Sequence, residues 1–297
     1  MATLYTQQAS NVRKTWLLMG VFLLMVIAIG YGVSWYFQSS ILLYIAVAFA
    51  FVMNFYAYWN SHKMVLRMTG ATPVTKAEAP ELYNIVENLA ITTGLPMPKV
   101  YIINDPAPNA FATGRNPENA VVAATTGLLQ MLDRSELEGV MAHEMAHVQN
   151  RDMLVMTVAV VLAGFIAILA DFFARFLFFG GNRDRSPIFL VIGIVGIILA
   201  PIAAQMIQMA ISRKREFVAD ASGALMTRYP DGLASALEKI STYNRPMQKT
   251  SHATAHLFIS DPYAKQGQKR SVGQWFNGLF QTHPPAAERI AKLRAMR

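Results

Sequence analysis

Four long apolar runs constrain this chain of 297 residues more than any other feature. They lie at residues 15–37, 41–59, 153–170 (extending toward 179) and 188–211. A helix needs roughly 20 apolar residues to cross the hydrocarbon of a bilayer. Each run approaches or exceeds that length, and their scarcity of charge argues against ordinary core helices. The sequence between and after them reads as globular. The expected organisation is a transmembrane hairpin at 1–60, half of a globular domain at 61–152, a second transmembrane hairpin at 153–211, and the other half at 212–297.

Arg13 and Lys14 precede the first run, as in a signal peptide. The run is too long for that, no small-residue cleavage site stands out, and a second run follows at once. Basic residues set orientation. Arg13 and Lys14, Lys63 and Arg67, Arg151, and Arg213, Lys214 and Arg215 all flank the same ends of the four runs, whereas Arg183 and Arg185 weigh weakly the other way. The balance places both termini and both globular halves on the cytoplasmic side of the cell membrane.

The formal charge of +8 is concentrated after residue 212, beside a membrane segment, while 61–152 is net acidic. Such a segment meets anionic lipid rather than nucleic acid, and no nucleic-acid motif is present. There are no cysteines, which excludes disulfides and thiolate metal sites.

In the first globular half, 79–95 has helical apolar spacing, with Pro80 at its start and Gly94 at its end. Residues 99–104, 109–114 and 119–129 read as strands, the last two forming a hairpin. Residues 133–152 read as a helix with Ser135 and Glu138 at capping-box spacing. Further helices are expected at 230–245 and 282–296, the latter capped by Thr282 or His283, with a polar loop at 261–274.

The helix at 133–152 carries His143-Glu144-x-x-His147. Residues four apart share a helix face, so both imidazoles can reach one tetrahedral zinc, with the glutamate positioned to polarise its water. A catalytic site needs a third protein ligand and an open position. That ligand must be His, Asp or Glu. His62, His252, His256 and His283 are available, as are Glu216 and Asp220, one helical turn apart. Two surface histidines and a solvated acidic face beside Arg213 and Arg215 are the alternative. His252 and His256 lack a following glutamate and read as structural. In the membrane runs, Gln205 and Gln208 suit the inside of a bundle, and Asp171 and Arg175 suit a pair near the outer interface.

The segments AHEMAHVQNRD, EFVADASGA after a membrane hairpin, THPPAAERI near the end, and NAFATG resemble the HtpX membrane zinc metalloproteases, relatives of the CAAX prenyl endopeptidases. The resemblance covers nearly the whole chain. It implies an α-helical membrane protein of four transmembrane helices with an α+β zincin-like catalytic domain. It implies that His143, His147 and Glu216 bind one zinc ion in the gluzincin manner, that Glu144 is the catalytic base, and that Asp220 orients a ligating histidine. Asn109, Ala110, Phe111 and Ala112 would belong to an edge strand that pairs with substrate backbone. His283 would stabilise developing charge on the substrate, or else cap the last helix. Expected substrates are membrane proteins or unfolded polypeptides, cut in quality control or stress. A processing peptidase for a defined or lipidated substrate is the second reading. A metal-containing scaffold is the third, although an intact Glu144 argues against it.

Overall fold

The computed structural model describes residues 4–179, 213–243, 245–248, 254, 257–260, 262 and 284–296, with backbone alone at 4–7, 167 and 169–179. The expected fourth apolar run, the loop at 261–274 apart from Pro262, and His252, His256, His283, Gln205 and Gln208 lie outside the described residues. So do the side chains of Asp171 and Arg175.

Two helices open the chain, α1 (Leu4–Tyr36) and α2 (Ser40–Thr69). Among the described residues these two are long and apolar enough to cross a membrane. They reverse direction at Gln38, which takes the left-handed conformation at φ 52°. Gly30 lets the backbones approach: a β-carbon there would collide with that of Ala46. Leu18, Phe22 and Val26 of α1 pack with Ala50 and Ala57 of α2 and with the next long helix. Leu24, Tyr31, Ile45, Phe51 and Phe55 stay exposed, which suits lipid rather than water. Aromatic residues gather at both ends. Tyr36 packs edge-on against Phe37 at the turn, and Trp16 stacks on Tyr58 at the far end, as expected of interfacial belts. Helix α2 does not stop at residue 60; it runs unbroken to a left-handed Gly70 cap.

The globular part begins with β1 (Thr72–Pro73), which the sequence pattern did not suggest, and α3 (Pro80–Thr93). Strands β2 (Lys99–Ile103), β3 (Ala110–Thr113) and β4 (Val121–Thr125) follow, then α4 (Thr126–Met131). The sheet has the order β1-β2-β4-β3, with β2 and β4 parallel and β3 and β4 antiparallel. The expected hairpin is present and β3 is an edge strand. The expected strand at 119–129 is shorter. Thr125 ends it by accepting a hydrogen bond from the Leu128 amide, and α4 starts there.

Helix α5 (Arg134–Gln149) crosses the sheet and packs against β3 and β4. Its cap is Asp133 with Glu136, not Ser135 with Glu138. Asp133 accepts from the Ser135 and Glu136 amides, while Glu136 accepts from the Asp133 amide. Both pairs have the same spacing, but only the earlier one meets the free amides of the first turn. At Asn150–Arg151 the chain bends by 81° into α6 (Asp152–Phe179), with Arg151 at φ 57°. Helix α6 packs against α1 and α2. After the undescribed stretch come α7 (Arg213–Thr227), α8 (Pro230–Thr242) and α9 (Ala286–Arg294). Helices α7 and α8 both cover α5. The cap of α9 is Pro285, so neither Thr282 nor His283 caps it; two prolines extend the chain before the helix can start.

Candidate metal centre

The two histidines of α5 stand one turn apart and meet a carboxylate from α7. Gly223 makes this possible, because a β-carbon there would lie 3.0 Å from the backbone nitrogen of His143. The two helix backbones therefore touch, and Glu216 and Asp220, two turns and one turn before Gly223, arrive beside the histidine rings.

His143, His147 and Glu216 form a buried group whose ligand atoms all lie within 4.8 Å of one another. The two Nε2 atoms face each other at 3.2 Å. Glu216 Oε2 is 3.7 Å from His143 Nε2, and Oε1 is 3.6 Å from His147 Nε2. Both imidazoles are turned the same way by carboxylates behind them. His143 Nδ1 donates to Asp220 Oδ1 at 2.9 Å. His147 Nδ1 donates to Asp152 Oδ2 at 3.2 Å. A carboxylate can only accept here, so each Nδ1 carries a proton and Nε2 is the atom each ring turns toward Glu216, free to ligate a metal once His147 is neutral. Two imidazole nitrogens and one carboxylate oxygen on convergent, prepositioned side chains fit a divalent metal with an open position.

Arg289 carries no role that the sequence pattern shows. It reaches in from α9, is 1% exposed, and grips Asp220 through Nε at 2.8 Å and Nη2 at 2.6 Å. Its Nη1 lies 3.9 Å from Glu216 Oε2. Nothing in the sequence pattern singles out Asp152 either: it closes the helical stretch 133–152 just before an apolar run, and its contact with His147 is visible only in the structure. One signal for Arg289 existed: it is four residues before Leu293, on the side of α9 that is buried.

These contacts polarise the site. Burial lowers the His143 pKa to about 4, with Asp220 opposing. Burial also pulls on His147, but the Asp152 hydrogen bond and the charge of Glu216 outweigh it and raise that pKa to about 9. Burial would raise Asp220, yet Arg289 overrides it and holds the carboxyl down at about 2. Glu144 is buried on the same helix, 2% exposed.

The edge strand lies beside α5. Asn109, Ala110, Phe111 and Ala112 are buried. The Ala110 carbonyl accepts from the Ile259 amide at 3.0 Å. The Asn109 side chain donates to the Ser260 carbonyl at 3.0 Å and accepts from its amide at 3.2 Å. Phe111 packs edge-on against Phe258. His62 sits half-buried on α2, away from the metal-ligand group.

The sequence pattern of peptidase family M48 matches residues 76–297. A protein of Caldanaerobacter subterraneus subsp. tengcongensis named "Protease HtpX homolog" is 47% identical over 304 residues, spanning 99% of this chain and 98% of the relative. One of the same name from Tropheryma whipplei is 46% identical over 298 residues, again spanning 99% and 98%. Among solved structures, the crystal structure of S. mikatae Ste24p aligns at a TM-score of 0.51 and 18% identity, covering 97% of this chain and 67% of that one. At that identity the likeness concerns the fold.

Proposed function

Since this chain belongs to peptidase family M48 and carries two membrane-length helices, we propose that it is a membrane-integrated zinc endopeptidase of the gluzincin type. It cuts membrane proteins or unfolded polypeptides on the cytoplasmic side, in protein quality control or stress. The observation that carries this reading is the convergence of His143, His147 and Glu216 with Glu144 on the same buried helix.

The proposed topology has four transmembrane helices in two hairpins, at 1–60 and 153–211, with the catalytic domain divided between 61–152 and 212–297. The 81° bend after α5 supports it. The bend turns the histidine helix away from α6, so α6 can enter the bilayer while the site stays at its surface. The placement of basic residues supports the cytoplasmic side.

When bound, zinc acidifies a water and polarises the carbonyl beside it. His143, His147 and Glu216 are the residues that hold it, and Asp220 keeps the His143 ring oriented. Glu144 accepts a proton as the water oxygen bonds to the peptide carbon, and returns it to the nitrogen as the carbon–nitrogen bond breaks. His283 is assigned to the developing negative charge on the carbonyl oxygen. Substrate backbone pairs in extended form along Asn109, Ala110, Phe111 and Ala112. The Ile259 amide already meets Ala110, so pairing is assigned to the Ala112 end of β3.

The test is proteolysis by the purified full chain in detergent, using an unfolded protein and a membrane-protein fragment. Cleavage abolished by a chelator, restored by zinc, and lost in Glu144→Gln supports the reading. Undiminished cleavage by Glu144→Gln refutes it.

A further inference from the structure

Near the amino-terminal end of α1, Asn11 reaches the carboxylate that holds the His147 ring. Asn11 is 3% exposed and Asp152 2% exposed. Asn11 Nδ2 donates to Asp152 Oδ1 at 2.6 Å and to the Asn150 carbonyl at 3.0 Å. Its Oδ1 accepts from Arg215 Nη1 at 3.3 Å, and the same guanidinium nitrogen lies 3.6 Å from Asp152 Oδ1. The amide has one workable orientation, since turning it over would set its oxygen against a carboxylate and a carbonyl. The other oxygen of Asp152 receives the Nδ1 proton of His147.

We propose that Asn11 is a positioning residue of the metal centre: with Arg215 it clamps Asp152, and Asp152 fixes the His147 ring toward the ion. The first membrane helix is then part of the catalytic apparatus as well as an anchor. A buried carboxylate with one oxygen on an imidazole must have its other oxygen satisfied. Here an amide from α1 and a guanidinium from α7 do so, at the point where α5 bends into α6. Partners of this kind commonly set metal affinity by holding the ligand ring in its binding tautomer. Gln8 provides an internal comparison. Its Nε2 donates to the Gln149 carbonyl at 2.8 Å, so it seats the same helix on the same bend without touching Asp152.

This inference rests on the zinc reading of His143, His147 and Glu216. The test is zinc affinity, measured by chelator competition on the full chain in detergent, for wild type, Asn11→Asp, Gln8→Ala and the double variant Asn11→Asp with Asp152→Asn. Asn11→Asp keeps the shape and sets an oxygen against Asp152, so it should weaken zinc binding by about 10- to 100-fold. Gln8→Ala should leave affinity unchanged, whatever it does to the melting temperature. The double variant restores donor to acceptor and should bind more tightly than Asn11→Asp alone. With cobalt in place of zinc, the visible spectrum should shift in Asn11→Asp and not in Gln8→Ala. Equal losses in Asn11→Asp and Gln8→Ala, or no loss in Asn11→Asp, overturn the positioning role while leaving the zinc site intact. A wild-type chain that binds no zinc overturns the metal-centre reading and this inference with it.

Discussion

Arg289 and Asp220 form a two-point ion pair, 2.6 and 2.8 Å long, buried behind the His143 ring. The pair joins α9, the last described helix, to α7. Removing one member of a buried pair leaves the other charged and unsolvated, a cost of about 3–5 kcal/mol. Arg289→Met should therefore destabilise the chain by about that much, measured by denaturant unfolding in detergent. Arg289→Lys should lose less, because it keeps the charge but not the two-point geometry.

Helix contact at Gly223 sets the distance between α7 and α5. A β-carbon there already meets His143 N at 3.0 Å. Gly223→Val should push the helices apart, costing about 1–3 kcal/mol as overpacking does, and should lower zinc content after dialysis at a fixed free-zinc level. Leu225→Ser, on the same helix and 78% exposed, should change neither.

Acidity separates metal binding from the stability of the stripped chain. In the chelator-stripped chain the His147 pKa is raised, to about 9, above its unfolded value near 6.5. Its contribution to stability is complete below about 6.5 and is lost as pH rises toward 9. Zinc needs His147 neutral, so affinity should move oppositely, rising with pH over that range as about one proton is released per ion bound. His143, lowered to about 4, should contribute no proton there. Calorimetry in two buffers of different ionisation heat measures the released proton, and melting of the stripped chain against pH measures the stability limb.

Much of this was readable from local pattern. The apolar runs announced α1, α2 and α6, and the four-residue spacing put His143 and His147 on one face. The β3–β4 hairpin followed from a strand broken at Gly114 and resumed after Pro117. What local pattern missed depends on contacts made across the chain. Asp133 and Ser135 compete for the same cap, and only the first-turn geometry decides. Strand β1 is two residues long and exists through pairing with β2. Asp152 and Arg289 carry ordinary local roles as helix residues, and their importance comes from His147 and Asp220, which lie on other helices.

Glu136 illustrates the same limit and yields a further test. It caps α5 and also accepts from Lys239 Nζ of α8 at 2.6 Å. Lys239 is half-exposed, so water screens the ion pair and its contribution to stability should be slight. Lys239→Met should lower stability only slightly, whereas Glu136→Ala, which also removes the cap interaction, should cost about 1–2 kcal/mol. Denaturant unfolding of the two variants in the same detergent gives the comparison.

In the proposed site His143, His147 and Glu216 together hold one zinc ion and leave a position open. X-ray absorption at the zinc edge, on full chain loaded with one equivalent, measures this directly. Two imidazole nitrogens and light oxygen donors at about 2.0–2.2 Å are expected, with one oxygen donor altered in Glu216→Ala. A spectrum unchanged by Glu216→Ala, or one lacking two imidazoles, would contradict it.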